Sequence, residues 1–172
     1  ETACRRQMVE EPIAIAQLKY FAADRVLASA NPYRPELAPN TGKNVAVIGG
    51  GPGGLTAAYF LAVKGHNVTI FEAMPQMGGM LRYGIPEYRL PKKVLDAEIR
   101  EIQELGVVMK NNVKIGKDIS FDEIRSGYDA VLVAIGAWKS STARCPGEEL
   151  EGVLGGIDFL RDVALGKSPD IG

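Results

Sequence analysis

Apolar positions along this chain change their rhythm at one point, near Lys43. Before it, Ile13, Ile15, Leu18, Ala22 and Val26 recur at helical spacing behind Glu11-Pro12, and proline suits a first helical turn because its missing N–H would be unpaired there. The spacing predicts a helix from about Pro12 to Ala28. Pro32, Pro35 and Pro39 then remove backbone donors from the stretch between Asn31 and Asn40, which predicts an irregular linker. After Lys43, Val45-Ala46-Val47-Ile48 is an unbroken apolar run, as expected of a strand covered on both faces in a parallel sheet.

That strand leads into Gly49-Gly50-Gly51-Pro52-Gly53-Gly54. A helix follows through Leu55, Ala58, Tyr59 and Leu61, closing at Gly65, and then a second strand, Val68-Thr69-Ile70-Phe71, ends at Glu72. The result is a strand, helix, strand unit. Downstream, Val94, Leu95, Ile99, Ile102 and Leu105 predict a helix from Lys92 to Leu105 that stops at Gly106 and passes into a strand at Val107-Val108-Met109. Tyr128 to Ala137 reads as a further buried strand ending in small residues. The expected fold is α/β, an incomplete Rossmann-like domain with a mainly parallel sheet over residues 41–172, preceded by a helical segment and linker over 1–40.

Charge and composition narrow the chemistry. The formal net charge is −1, with no basic run to neutralise a phosphate backbone, so nucleic acid is not an expected partner. No apolar stretch reaches the roughly 20 residues that cross a bilayer, and no charged leader precedes an apolar run, so no membrane partner is expected. Cys4 and Cys145 stand far apart, which fits a reduced, cytoplasmic setting better than a disulfide framework. The missing initial Met and the ending Ser168-Pro169-Asp170-Ile171-Gly172 suggest a piece of a longer chain.

The glycine-rich turn is the main candidate for chemistry. Gly49 permits the tight turn, Gly51 lets the backbone approach a pyrophosphate, and Gly54 allows the helix to pack on the strands, with Pro52 and Gly53 completing the loop. The helix amino terminus presents unpaired N–H groups and a partial positive charge to phosphate. Glu72, at the end of the second strand, is placed to accept hydrogen bonds from the hydroxyls of an adenosine ribose and to repel a 2′-phosphate. This unit by itself does not choose between FAD and NAD. An NAD-binding dehydrogenase domain, and a non-catalytic module that keeps the unit as an interaction scaffold, remain as alternatives. His66 follows a helix stop and reads as a loop or surface residue, and no cysteine pair at redox spacing follows the turn.

A second glycine pair, Gly78-Gly79, follows Glu72 and leads into Met80, which resembles the extended motif of glutathione-reductase-like FAD proteins. The segment Met80-Leu81-Arg82-Tyr83-Gly84-Ile85-Pro86-Glu87-Tyr88-Arg89-Leu90-Pro91 is similar to one shared by the small (beta) subunit of NADPH-dependent glutamate synthase and its relatives. Those relatives include the flavin domains of dihydropyrimidine dehydrogenase and of NADH-dependent ferredoxin:NADP oxidoreductase. The resemblance covers nearly the whole chain and implies FAD as cofactor. It implies that Gly79, Met80 and Arg89 contact FAD, that the backbone at Val113 passes the adenine, and that Ala134 and Gly136 form a second FAD fingerprint in which Ile135 replaces the usual threonine. Trp138 and Lys139 follow that fingerprint and either border the cofactor or are ordinary loop residues.

The opening residues, Glu1 to Arg6 followed by Glu10 to Ile15, resemble the end of a cysteine-rich iron–sulfur domain. Cys4 would then be a cluster ligand in the intact protein. No metal is expected in this piece, because one thiolate cannot hold a cubane cluster, and Cys145 reads as a bystander. The intact enzyme implied is a reductase that moves electrons from NADPH or NADH through FAD to 4Fe-4S centres, with a large catalytic or iron–sulfur partner subunit. No catalytic side chain is expected here. The chemistry belongs to the flavin, and the nicotinamide domain and the chain's return to complete the FAD site are expected beyond Gly172, so this chain should bind or partly bind FAD without turning over substrate.

Overall fold

A computed structural model describes residues 3–29 and 32–170, divided between two compact units, Glu1–Glu36 and Leu37–Gly172. The first unit contains a short 3-10 turn, Arg5–Met8, and helix α1, Ile15–Leu27. The helix starts later than Pro12 because Ile15 N–H turns back to the Ile13 carbonyl at 2.9 Å, and Ala14 takes the capping position in a non-helical conformation. No residue of α1 is buried, so its apolar stripe, with Leu18 and Phe21 exposed, forms no core among the described residues.

The second unit is built on a four-stranded sheet of order β3-β2-β1-β4, with every pairing parallel. Its strands are β1 (Asn44–Ile48), β2 (Asn67–Phe71), β3 (Val108–Lys110) and β4 (Ala130–Val133). Val47 stands opposite Ile70, and Val45 opposite Ala130. The strap ahead of β1 belongs to this unit: Ala38 N–H donates to the Val63 carbonyl, and Thr41 N–H to the Gly65 carbonyl, each at 2.9 Å.

Alternation along β1 and β2 divides the core between the two sheet faces. Val47, Val68 and Ile70 face helices α2 (Pro52–Val63) and α4 (Lys92–Glu104), and pack with Leu55, Ala58, Leu95 and Ile99. Ala46, Ile48 and Phe71 pack on the other face with Ile124 of α5 (Phe121–Gly127). Coverage on both sides explains why β1 reads as a continuous apolar run. Helix α5 is short, and a reciprocal capping box between Ser120 and Glu123 secures its start.

One expectation needs correction. The run from Tyr128 to Ala137 is not a buried strand: pairing is confined to Ala130–Val133, and Leu132 and Val133 are 39% and 55% exposed. β4 is the edge of the sheet, bonded to β1 alone among the described residues, so its outer side lacks the neighbour that would bury it. Two further short helices complete the unit, α3 (Met80–Tyr83) and α6 (Gly156–Ala164).

Candidate functional site

The site is built where β1 ends and α2 begins, at the carboxyl edge of the central strand. Gly49 has φ +110° and donates its N–H to the Phe71 carbonyl at 2.8 Å. A Cβ there would overlap the Ala134 carbonyl, so glycine is required both by conformation and by the approach of the chain leaving β4. Gly51 caps α2 in an extended conformation, with Pro52 in the first helical position. Gly54 sits beneath the turn, where a Cβ would overlap the Gly49 carbonyl. The first turn of α2 therefore leaves its orphan N–H groups facing the space above the strand end.

A second turn closes on the first. Gly78 N–H donates to the Gly50 carbonyl at 2.7 Å, and a Cβ on Gly79 would lie 2.7 Å from Gly51 Cα. Gly78 and Gly79 have φ of +124° and +52°. The pair read from the sequence as a continuation of the motif is thus a clasp in backbone contact with the glycine turn.

Glu72 is 5% exposed. One carboxylate oxygen accepts the Gly50 N–H at 2.7 Å and the other accepts the Met74 N–H at 2.8 Å. Its main chain is tied in as well, since Val113 N–H donates to the Glu72 carbonyl at 2.9 Å. A carboxylate offers about four lone-pair sites, so each oxygen keeps capacity for a ligand hydroxyl after its backbone bond is made.

Above these elements opens a cleft of about 900 Å³, mostly apolar in its walls. Gly49, Gly51, Pro52, Gly53 and Glu72 line it, as do Gly79, Met80, Val113, Ala134 and Gly136. Gly54 lies under the turn rather than on the cleft, and Arg89 is also absent from the lining. Arg89 is exposed, and its guanidinium has no hydrogen-bond or ion-pair partner among the described residues.

Several contributors went unnoticed in the sequence. Arg82 is 6% exposed; its Nε donates to the Met77 carbonyl at 2.6 Å and its guanidinium pairs with Asp96 of α4, so it moors the Gly78-Gly79 turn to that helix. Tyr83 exchanges hydrogen bonds with Gln76, accepting its N–H at 3.0 Å and donating to its carbonyl at 3.2 Å. Burial pushes the Tyr83 hydroxyl pKa up. Lys92 donates to the carbonyls of Leu81 and Ile85 at 3.0 and 2.6 Å, and desolvation lowers its pKa. Trp138, which the sequence left open as a cofactor neighbour or a loop residue, lines the cleft with its ring centroid 5.8 Å from that of Tyr83. Arg161 and Leu165 reach the cleft from α6 and its carboxyl cap. The signal for α6 was present in Ile157, Leu160, Ala164 and Leu165 at helical spacing, in a short segment between glycines.

Neither Cys4 nor Cys145 is in a disulfide, and no cluster of His, Cys, Asp or Glu suited to a metal forms among the described residues. No helix among them is long and apolar enough to cross a membrane.

A parallel sheet with a glycine turn, a buried acidic residue at the neighbouring strand end and a cleft lined by both defines an α/β domain of Rossmann type. Residues 43–169 match the pyridine nucleotide-disulphide oxidoreductase family, and the chain belongs to that family. Among curated proteins it is 43% identical to the NADP(+)-dependent formate dehydrogenase subunit beta of Moorella thermoacetica, over 99% of this chain and 27% of that protein. It is 38% identical to the glutamate synthase [NADPH] small chain of Mycobacterium tuberculosis, over 93% of this chain and 33% of that one. The chain thus spans about a third or less of these relatives. Among solved structures, FprA from Mycobacterium tuberculosis in complex with NADPH aligns with a TM-score of 0.63 at 26% identity, over 70% of this chain and 28% of FprA. The expected likeness to the glutamate synthase small subunit and its relatives, and the α/β class, both hold.

Proposed function

We propose that the cleft binds FAD, and that the chain is the FAD-binding part of an NAD(P)H-dependent flavoprotein oxidoreductase resembling the glutamate synthase small subunit. The observation that carries this reading is the clasp of Gly79 on Gly51, which continues the cleft past the ribose-binding end toward Met80 and Trp138. A site for a dinucleotide's adenine half alone needs no such extension. The cradle fits the group. Glycines stand where the backbone must come close, orphan N–H groups await the diphosphate, and the volume is within the usual range for a bound organic ligand.

The roles follow from position. The N–H groups at the start of α2 hold the diphosphate. Glu72 accepts the ribose hydroxyls, and the Val113 backbone borders the adenine. Gly79, Met80, Ala134 and Gly136 lie along the remainder of the cofactor. Arg89, on the exposed segment after α3, is proposed as a contact on the strength of the resemblance and lies off the present cleft lining. Bound FAD supplies hydride acceptance and stepwise electron release, while the chain contributes placement and a water-poor apolar wall. The similar proteins are named as a beta subunit and a small chain. The intact protein is accordingly proposed to receive electrons from NADPH or NADH and to pass them through FAD to 4Fe-4S centres, Cys4 being a ligand of one, alongside a larger partner subunit. A cytoplasmic location is part of this proposal.

The test is the visible spectrum of the purified chain after incubation with FAD and desalting, beside a calorimetric titration with NAD. Retained flavin bands with weaker NAD binding are expected. A colourless protein that takes up NAD overturns the reading in favour of a dehydrogenase domain, and one that takes up neither favours an interaction scaffold.

A further inference from the structure

The diphosphate of a dinucleotide carries two negative charges, yet the turn that approaches it has no cationic side chain between Gly49 and Gly54. A helix amino terminus supplies the equivalent of only about half a positive charge. Among the described residues two basic side chains line the cleft, Lys114 and Arg161. Lys114 follows Val113, whose N–H is bonded to the Glu72 carbonyl, so it stands on the ribose and adenine side. Arg161 enters from α6, which packs against α3. That helix is capped by Gly79, the residue in contact with Gly51. Arg161 therefore lines the cleft from a helix packed on α3, the element that follows the Gly78-Gly79 turn.

The state of the guanidinium supports a ligand role. Arg161 is 28% exposed, too covered for a freely solvated surface arginine. Its Nη2 pairs with Asp158 at 2.8 Å, while its Nε lies 3.8 Å from Asp162, beyond hydrogen-bond length. Most of its N–H donors thus remain unengaged by the described residues. The planar fork they form suits bidentate contact with phosphate oxygens. Asp162 is shared with Lys167 at 3.0 Å, and Asp158 also accepts the Ser140 hydroxyl at 3.0 Å.

We propose that Arg161 is a binding residue for the diphosphate of the dinucleotide, and that Asp158 competes with the ligand for its guanidinium and so sets the affinity. The proposal rests on the dinucleotide reading given above. The residue lies outside the glycine turn Gly49 to Gly54, on a helix more than a hundred residues further along the chain.

The test is equilibrium titration of the chain and of Arg161→Gln, Arg161→Lys and Asp158→Asn with FAD and with ADP-ribose, at two salt concentrations, after circular dichroism shows that each variant is folded. FAD and ADP-ribose share the diphosphate, but only FAD carries a flavin. Arg161→Gln is expected to weaken both ligands by a similar factor of at least about ten, as loss of a charge-assisted bond implies, and to flatten the salt dependence of binding. Arg161→Lys keeps the charge without the fork and should fall between. Asp158→Asn, by removing the competitor, should tighten both ligands several-fold. Unchanged affinity in folded Arg161→Gln overturns the proposal and leaves the FAD reading intact. Weakening confined to FAD also overturns it, since the residue would then serve the flavin. Failure of the unaltered chain to bind either ligand overturns both readings together.

Discussion

The Glu72 carboxylate, expected from the sequence to accept ribose hydroxyls, accepts the Gly50 amide at 2.7 Å and so ties itself to the glycine turn. The residue proposed to accept the ribose hydroxyls is therefore also a strut of the glycine turn. Glu72→Gln preserves size, but presents an amide N–H₂ to one of two backbone donors, Gly50 or Met74. The stability of this variant is expected to fall by about 1–3 kcal/mol, the cost of a buried unpaired group. FAD affinity should fall further still. Urea denaturation and flavin titration read the two effects separately.

Neighbouring glycines should respond in opposite ways. Gly53 has open space around a notional Cβ and no positive φ, whereas one on Gly54 overlaps the Gly49 carbonyl. Gly53→Ala should raise stability by about 0.5–1 kcal/mol by restricting the unfolded chain, and should still take up FAD. Gly54→Ala should lose about 1–3 kcal/mol or more to overpacking. Thermal melts of the pair decide the matter, and equal behaviour would contradict the close helix crossing.

Arg82 binds no ligand in this reading, yet it should matter to ligand binding. Arg82→Met removes the donor to the Met77 carbonyl and leaves Asp96 without its partner. Because Asp96 is 48% exposed and can be solvated, the main cost falls on the buried carbonyl, about 1–3 kcal/mol. Loosening of the Gly78-Gly79 turn should appear as faster amide exchange at Gly78 and Gly79 and as weaker FAD retention.

Acid stability should depend on Asp129. Its carboxylate accepts the Asn44 N–H at 2.8 Å and the Lys43 ammonium at 2.9 Å, and these interactions hold its pKa below the usual value, the backbone bond being the larger cause. A lowered folded-state pKa means that the native protein binds fewer protons than the unfolded chain. Its contribution is present above the unfolded carboxylate pKa, near 3.9, and is lost as pH falls through the folded value. Asp129→Asn should flatten the decline of stability in that acid window and leave the neutral-to-alkaline slope unchanged, as followed by denaturant midpoints against pH.

Trp138 is the chain's single tryptophan and lines the cleft. FAD uptake should therefore quench its emission in proportion to occupancy, with the same affinity as a direct flavin titration. Quenching that fails to saturate with binding would place the flavin away from Gly136 and Trp138.

How much was legible in the sequence varied with the range of the interactions. The strand, turn, helix and second strand from Asn44 to Phe71, with Glu72 after it, could be read because each signal is local. Apolar runs mark strands covered on both faces, and glycines mark turns that a side chain would obstruct. The downstream helix, Lys92–Glu104, was equally plain from its spacing.

Composition alone could not say which apolar run would be covered. Val45-Ala46-Val47-Ile48 and Ala130-Val131-Leu132-Val133 look alike as sequence, but the first is central and the second is an edge. Burial there depends on neighbours distant in the chain. The same holds for Arg82, whose partners at Met77 and Asp96 belong to different elements, and for Arg161, which a helix a long way downstream brings to the wall of the cleft. The sequence by itself determined the cofactor-binding unit, since that unit is a set of short-range conformational requirements. Only the tertiary structure decided which side chains surround it, because close approach between remote segments leaves no periodic trace in either one.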